Sequence, residues 1–325
     1  MNNDLQTMIS ALVAKKRRYD RLWAYYDGRQ PLVYSSEKLK EIFSGLDARF
    51  TQNWCAVVVD SLLDRLELRT PTVVDAPDAS SLLAGLWEIS GMVDDVFGVH
   101  EDVAVTGEAF VIAWPNADGE PEAFHNDARL CHALYDGENP RRMRVAAKWW
   151  AVEDGKIRLT LYYADRLEYY ESRRPYKEGE ITDAKAFLPM GETPVAENPF
   201  GVLPVFHFRG NRRVAKGQLG SIIELQDAVN KLLSDMMVAA EFGAFPQRYI
   251  ISATGIKGLK NNPNEIWDLV ASEQGMQATQ AGQFAATDLG NYLKAIEKLS
   301  TDIGVITRTP RHFCLLYTSP SPRDS

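Results

Sequence analysis

The sequence predicts an α+β fold, with helices toward both ends and an antiparallel β region between them. Apolar residues recur at helical spacing from Leu5 to Tyr26 and again from Ile222 to Ala240. Between those stretches the period changes to that of strands. There Asp118-Gly119 and Asp154-Gly155 supply dipeptides that favour hairpin turns with positive φ. At 325 residues, with 45% hydrophobic and 25% charged, the composition is that of a globular chain of one to three domains.

The first helix is the clearest element. Leu5, Met8, Ile9, Leu12, Val13, Tyr19, Leu22 and Tyr26 follow its period, with Asp4 near the N-terminus and Gly28 and Pro31 past the end. "KKRR" (Lys15 to Arg18) interrupts the stripe and reads as a solvated face, with a nucleic-acid or partner contact as the other reading. A second helix surrounds "NWCAVVVDSLLDRLEL". A third is expected from Ser81 to about Phe97, with Leu82, Leu83, Leu86, Ile89 and Val93 on one side.

"GEAFVIAW" and "EAFH" then flank one hairpin turn, and "RMRVAAKWWAV" and "KIRLTLYYADRLEYYE" flank another. Their aromatic residues read as strand-face packing. Glu171 to Pro204 reads as loop, broken by glycines and prolines. The apolar run "VLPVFHF" leads into "RGNRRVAKGQLG", a Gly-rich basic loop without the order of a phosphate-binding loop or of a dinucleotide fingerprint.

The helix that follows, "SIIELQDAVNKLLSDMMVAAEFGA", opens on Ser221 and Glu224 in the pattern of a capping box. Its apolar stripe (Ile222, Leu225, Val229, Leu232, Leu233, Met236, Met237, Ala240) is too broad for one seam. That width fits a helix packed against several neighbours, other subunits included, and equally a helix buried in a monomer core. An irregular Gly- and Asn-rich stretch precedes a last amphipathic helix, "DLGNYLKAIEKLSTDIGVI".

Composition excludes several function classes. A run of about 18 uninterrupted apolar residues would be needed for a membrane span, and no stretch approaches it. The basic cluster near the N-terminus follows the apolar positions, the reverse of a secretory signal. Cys55, Cys131 and Cys314 are too widely spaced for a disulfide framework or a CxxC metal site. A formal charge of −8 disfavours tight, sequence-specific DNA binding.

Enzyme signatures are missing too. His100, His125, His132, His207 and His312 are scattered, and neither HExxH nor GxSxG occurs. His125, Asp127 and His132 form a conceivable metal cluster in a loop, without a matching distant ligand. The pairs Asp94-Asp95 and Glu101-Asp102 are adjacent on helices, so their carboxylates diverge by about 100°.

Taken in order, "LWAYYDGRQPLVY", "FTQNWCAVVVDSLLDRLEL", "VAVTGEAFVIAW", "GSIIELQDAVNKLLSDMMVAAEFGAFPQRYI" and "ITRTPRHF" resemble a portal protein of tailed bacteriophages, of the type found in siphophages of actinobacteria. The resemblance runs from about Leu5 to Phe313. It implies the phage portal fold, in which residues 1–215 form a wing of helices and β hairpins and 216–244 a stem helix. Residues 245–285 would be a small clip, and 286–313 a helix returning to the wing. The stem residues Ile222, Leu225, Val229, Leu232 and Met236 would then lie between subunits.

The implied role is structural and needs no enzyme activity and no cofactor. It is a dodecameric homo-oligomeric ring at one capsid vertex of the virion, assembled in the host cytoplasm. Implied partners are the terminase large subunit, head-completion and adaptor proteins, capsid and scaffolding proteins, and double-stranded DNA in non-specific passage; no membrane is involved. An acidic chain suits a channel through which DNA slides without sticking.

The resemblance also implies further wing helix and a crown after Phe313. Instead "CLLYTSPSPRDS" follows, with no helical period and no strand alternation. Cys314 to Asp324 can be encoded by a string resembling a transposase-end sequencing adapter, so residues 314–325 are expected to be adapter read-through on a truncated chain. Two other readings stay open: a hydrolase or nucleotidyltransferase with a site in the β region near His125 to His132, and another head–tail connector protein.

Overall fold

The computed structural model describes residues 3–31, 51–69, 71–116, 118–176, 183–210, 215–244, 248–251, 280–283, 288–310 and 313. The chain forms two compact units. Met1–Gln30, Asn53–Ile223 and Gly304–Ser325 make the first, and Pro31–Gln52 with Glu224–Ile303 the second.

The first unit opens with α1 (Asn3–Tyr26), α2 (Trp54–Leu63), α3 (Pro77–Ile89) and α4 (Met92–Thr106). Nine strands follow: β1 (Glu108–Pro115), β2 (Pro121–Asn126), β3 (Cys131–Tyr135), β4 (Met143–Ala151), β5 (Ile157–Tyr162), β6 (Arg166–Ser172), β7 (Phe187–Pro189), β8 (Val195–Glu197) and β9 (Val205–Arg209). Every pairing is antiparallel. One sheet runs β2-β1-β9; the other runs β3-β4-β5-β6-β7, with β8 also paired to β6.

Strand alternation stacks these elements in layers. On β4 and β5, Val145, Ala147, Trp149, Leu159 and Leu161 pack against Leu5, Met8, Ile9 and Leu12 of α1. Their neighbours Ala146 and Tyr162 point the other way, onto Phe110, Ile112 and Val205 of the smaller sheet. On β1 the intervening Ala109 and Val111 pack against Val99 of α4. The two sheets therefore pack face to face, with the start of α1 on the outer side of the larger sheet and α4 on the outer side of the smaller. Helix α1 also reaches α4 directly. Full burial of each large aliphatic side chain in these layers stabilises by about 1.5–3 kcal/mol.

Both hairpin turns form where the Asp-Gly dipeptides stand, with Gly119 at φ +84° and Gly155 at +78°. The first helix ends as expected at Gly28, φ +68°. The stretch from Glu171 to Pro204 is less irregular than its composition suggests: β7 and β8 both pair with β6, each too short to show a period.

The helix expected from Ser81 to about Phe97 is two helices. Gly91, in the left-handed region at φ +63°, separates α3 from α4, and its carbonyl accepts from the amides of Asp94 and Asp95. Its supposed one-sided stripe is not buried as a unit, since Leu82, Ile89 and Val93 are all about two-thirds exposed. The "KKRR" run also departs from expectation. Lys15 is buried, because at three residues from Leu12 and four from Tyr19 it lies on the apolar face.

The Gly-rich loop has a packing role. A Cβ at Gly217 would lie 2.3 Å from the Val105 carbonyl oxygen, and one at Gly107 would lie 2.2 Å from the Lys216 nitrogen. The backbones meet there directly, joined by the bond from Gln218 N to the Ala104 carbonyl at 2.7 Å.

The second unit contains nearly all of α5 (Ile223–Ala244), β10 (Arg248–Ile251) paired antiparallel with β11 (Gln280–Gln283), and α6 (Leu289–Thr307) as far as Ile303. The capping box expected at Ser221 does not form. Ser221 closes a 3-10 turn (Leu219–Ser221) ahead of α5, and its hydroxyl donates to the Gln218 carbonyl at 3.3 Å. Residues 252–279, most of the expected clip, and 314–325, the expected adapter segment, lie outside the described residues.

Candidate functional site

Two places concentrate features that a surface helix or a plain core does not need. One is the α5 helix. Gln226, Val229 and Asn230 form its buried line, and the 51–52 segment lies along them. The Gln226 amide donates to the Gln52 carbonyl at 2.6 Å, while Gln52 N donates to Asn230 Oδ1 at 3.0 Å. One turn of helix thus holds both polar groups of a single backbone residue, which sets its register against that segment.

The five stem residues divide on burial. Ile222 and Val229 are fully covered within the single chain. Leu225, Leu232 and Met236 are half-buried. These three are spaced seven and four residues apart, so they form one line beside the buried one. Lys231 and Asp235 pair one turn apart on the same helix.

The other place is a buried polar centre in the first unit. Glu108, at the start of β1, accepts from Tyr19 Oη at 2.7 Å and from His207 Nε2 at 2.8 Å, and it pairs with Lys15. Lys15 also donates to the Cys131 carbonyl. Tyr135 Oη lies 2.8 Å from His207 Nδ1, so both ring nitrogens have partners, and the ring stacks on Phe110 at 4.4 Å. Residues of α1, β1, β3 and β9 are joined through one carboxylate.

The electrostatics are those of a satisfied ion pair. Burial opposes the Glu108 charge, but the His207 bond and the Lys15 charge more than offset it and hold its pKa at about 2. Burial lowers Lys15 despite Glu108, and pushes the Cys131 thiol up to about 12. Burial and the nearby Lys15 charge lower His132 to about 4.

His125 is bound separately, with Nε2 2.8 Å from Asp102 Oδ2, which also accepts from Ala128 N at 2.9 Å. Burial disfavours the His125 cation, yet Asp102 outweighs it and raises the pKa above the usual histidine value. His125 lies on β2 and His132 on β3, in different sheets rather than in one loop. Among the described residues no group of three His, Cys, Asp or Glu side chains could hold a metal ion. No helix among them is long and apolar enough to cross a membrane.

The family model described as "Phage portal protein, SPP1 Gp6-like" matches residues 6–313. The chain belongs to this phage portal family. Among solved structures it is similar to an HK97-family phage portal protein from Corynebacterium diphtheriae. The identity is 11% and the TM-score 0.33, covering 90% of this chain and 82% of that one. No curated protein matches the sequence.

In this portal protein, the stem residues that the resemblance implies differ in burial within the single chain. Gln226 and Asn230, polar residues four apart beside the apolar stripe, are not among those implied residues, yet both are buried. That polar pair beside the stripe was the available signal. Lys15 carried a similar one, a lysine in register with buried Leu12 and Tyr19.

Proposed function

We propose that this portal protein is the subunit of a ring that forms the DNA channel at one capsid vertex, serving genome packaging and ejection. The observation that carries the reading is the family match across residues 6–313. In this reading residues 1–215 are the wing, 216–244 the stem, 245–285 the clip and 286–313 the return to the wing. Leu225, Leu232 and Met236 are the stem residues free to pack on a neighbouring subunit, with Ile222 and Val229 supporting them from inside.

A dodecamer is the expected ring. The terminase large subunit, followed by head-completion and adaptor proteins, docks at the clip, and capsid and scaffolding proteins surround the wing. The net charge of −8 supports passage of DNA without tight binding. The role needs no cofactor and no turnover. Negative-stain electron microscopy and native mass measurement of the full-length protein test it: closed rings of a dozen or so subunits are expected, and a full-length protein that stays monomeric at every concentration refutes it.

A further inference from the structure

The smaller sheet of the first unit carries an apolar surface on each of its two sides. On the α4 side lies a groove of about 820 Å³, lined by Leu66, Leu83, Leu86, Trp87, Val96 and Phe208 among others. Helix α3 forms one wall, and none of its residues is buried although it carries three leucines, a tryptophan and an isoleucine. Leu66, Leu68 and Phe208 are each about half exposed, so the apolar lining of the groove is open to solvent.

The other side carries a projection. Trp114 faces away from the groove, since its neighbour Ala113 lines it, and Phe200 packs edge-on against Trp114 at 5.7 Å. Phe200 is 52% exposed and Val202 63% exposed. Their turn is held rigidly. Buried Asn198 donates from Nδ2 to the Tyr163 carbonyl at 2.9 Å and the Val202 carbonyl at 2.8 Å, and its Oδ1 accepts from Phe200 N at 3.1 Å. Gly201 at φ +66° closes the turn. A pre-ordered aromatic loses little entropy on insertion, which makes it an effective interface anchor.

We infer that the Phe200–Val202 turn of one copy inserts into the α2–α3–α4 groove of the next copy of this chain. A donor and an acceptor on opposite sides of one sheet make a heterologous, head-to-tail contact, the kind that generates rings when the rotation closes. Charge agrees with that occupant. Glu197, exposed at the end of β8, stands just before the turn, while exposed Arg209 and Lys216 outnumber Glu122 among the acidic and basic residues that line the groove. The inference rests on the ring reading but names a surface the stem helix does not include.

Disulfide trapping tests it, in a Cys314→Ser background that leaves only the buried Cys55 and Cys131. Full chains carrying Phe200→Cys are mixed with chains carrying Leu83→Cys and oxidised mildly. The control replaces Phe200→Cys with Glu153→Cys, on an exposed hairpin turn. Covalent dimers are expected more than tenfold faster than in the control, and a chain carrying both substitutions should give a ladder of multimers.

Crosslinking no faster than the control overturns the contact, whether or not rings form. Rings without crosslinks leave the portal-ring reading standing and remove only this interface. Crosslinks from a chain that never closes a ring support the contact and count against the ring.

Discussion

Replacing Glu108 with Gln removes one charge from the buried polar centre while keeping nearly the same shape. In the native chain, Lys15, Tyr19 and His207 all direct donors at this carboxylate. After the substitution Lys15 keeps the Cys131 carbonyl but loses its counter-charge inside the layers. Breaking one member of a buried pair costs about 3–5 kcal/mol. The titration gives a consistent figure: a shift from 4.5 to about 2 corresponds to about 3 kcal/mol.

The pH dependence separates this cause from general damage. A carboxylate with a depressed folded-state pKa contributes stability above its unfolded pKa of 4.5, and loses it as pH falls toward the folded value of about 2. Linkage then predicts that about 2 kcal/mol of the difference between native chain and Glu108→Gln disappears between pH 7 and pH 3. Urea unfolding of both proteins across that range measures it, and taking the difference cancels the other carboxylates. Parallel stability profiles from pH 7 to pH 3 would refute the reasoning, because Glu108 would then titrate alike in the folded and unfolded chain.

Two further outcomes are expected. Leu232→Asp, on the half-buried line of α5, should leave the fold intact but abolish assembly in size-exclusion chromatography, whereas Val229→Asp should lower the unfolding midpoint itself by placing an unpaired carboxylate where nothing is exposed. Equal loss of folding in both would show that the two lines of the helix are not distinct. Gly217→Ala should cost about 1–3 kcal/mol by overpacking against the Val105 carbonyl, read as a lower thermal midpoint; an unchanged midpoint would mean that the backbone contact is not required.

Local chemistry alone determined much of this protein. Helix α1 was legible because Leu5, Met8, Ile9 and Leu12 repeat at 3.6 residues, and the β1–β2 and β4–β5 hairpins because Asp-Gly selects turns with positive φ. The ordered set of motifs pointed to the portal family, which the match to residues 6–313 establishes. Only the tertiary structure decided what each face meets. The burial of Lys15 depends on Glu108 and Cys131, far away in sequence, and a charge run by itself looks solvated.

The split between Val229 and Leu232 escaped periodicity for the same reason. Helical period reports that a face is apolar, but not whether its cover comes from the same chain. Likewise the glycines of "RGNRRVAKGQLG" resemble a ligand loop until the backbone of residues 104–107 is seen packed directly on residues 216–218. Contacts between residues distant in sequence leave no periodic trace, so burial, pairing and the two sides of the smaller sheet had to come from the fold.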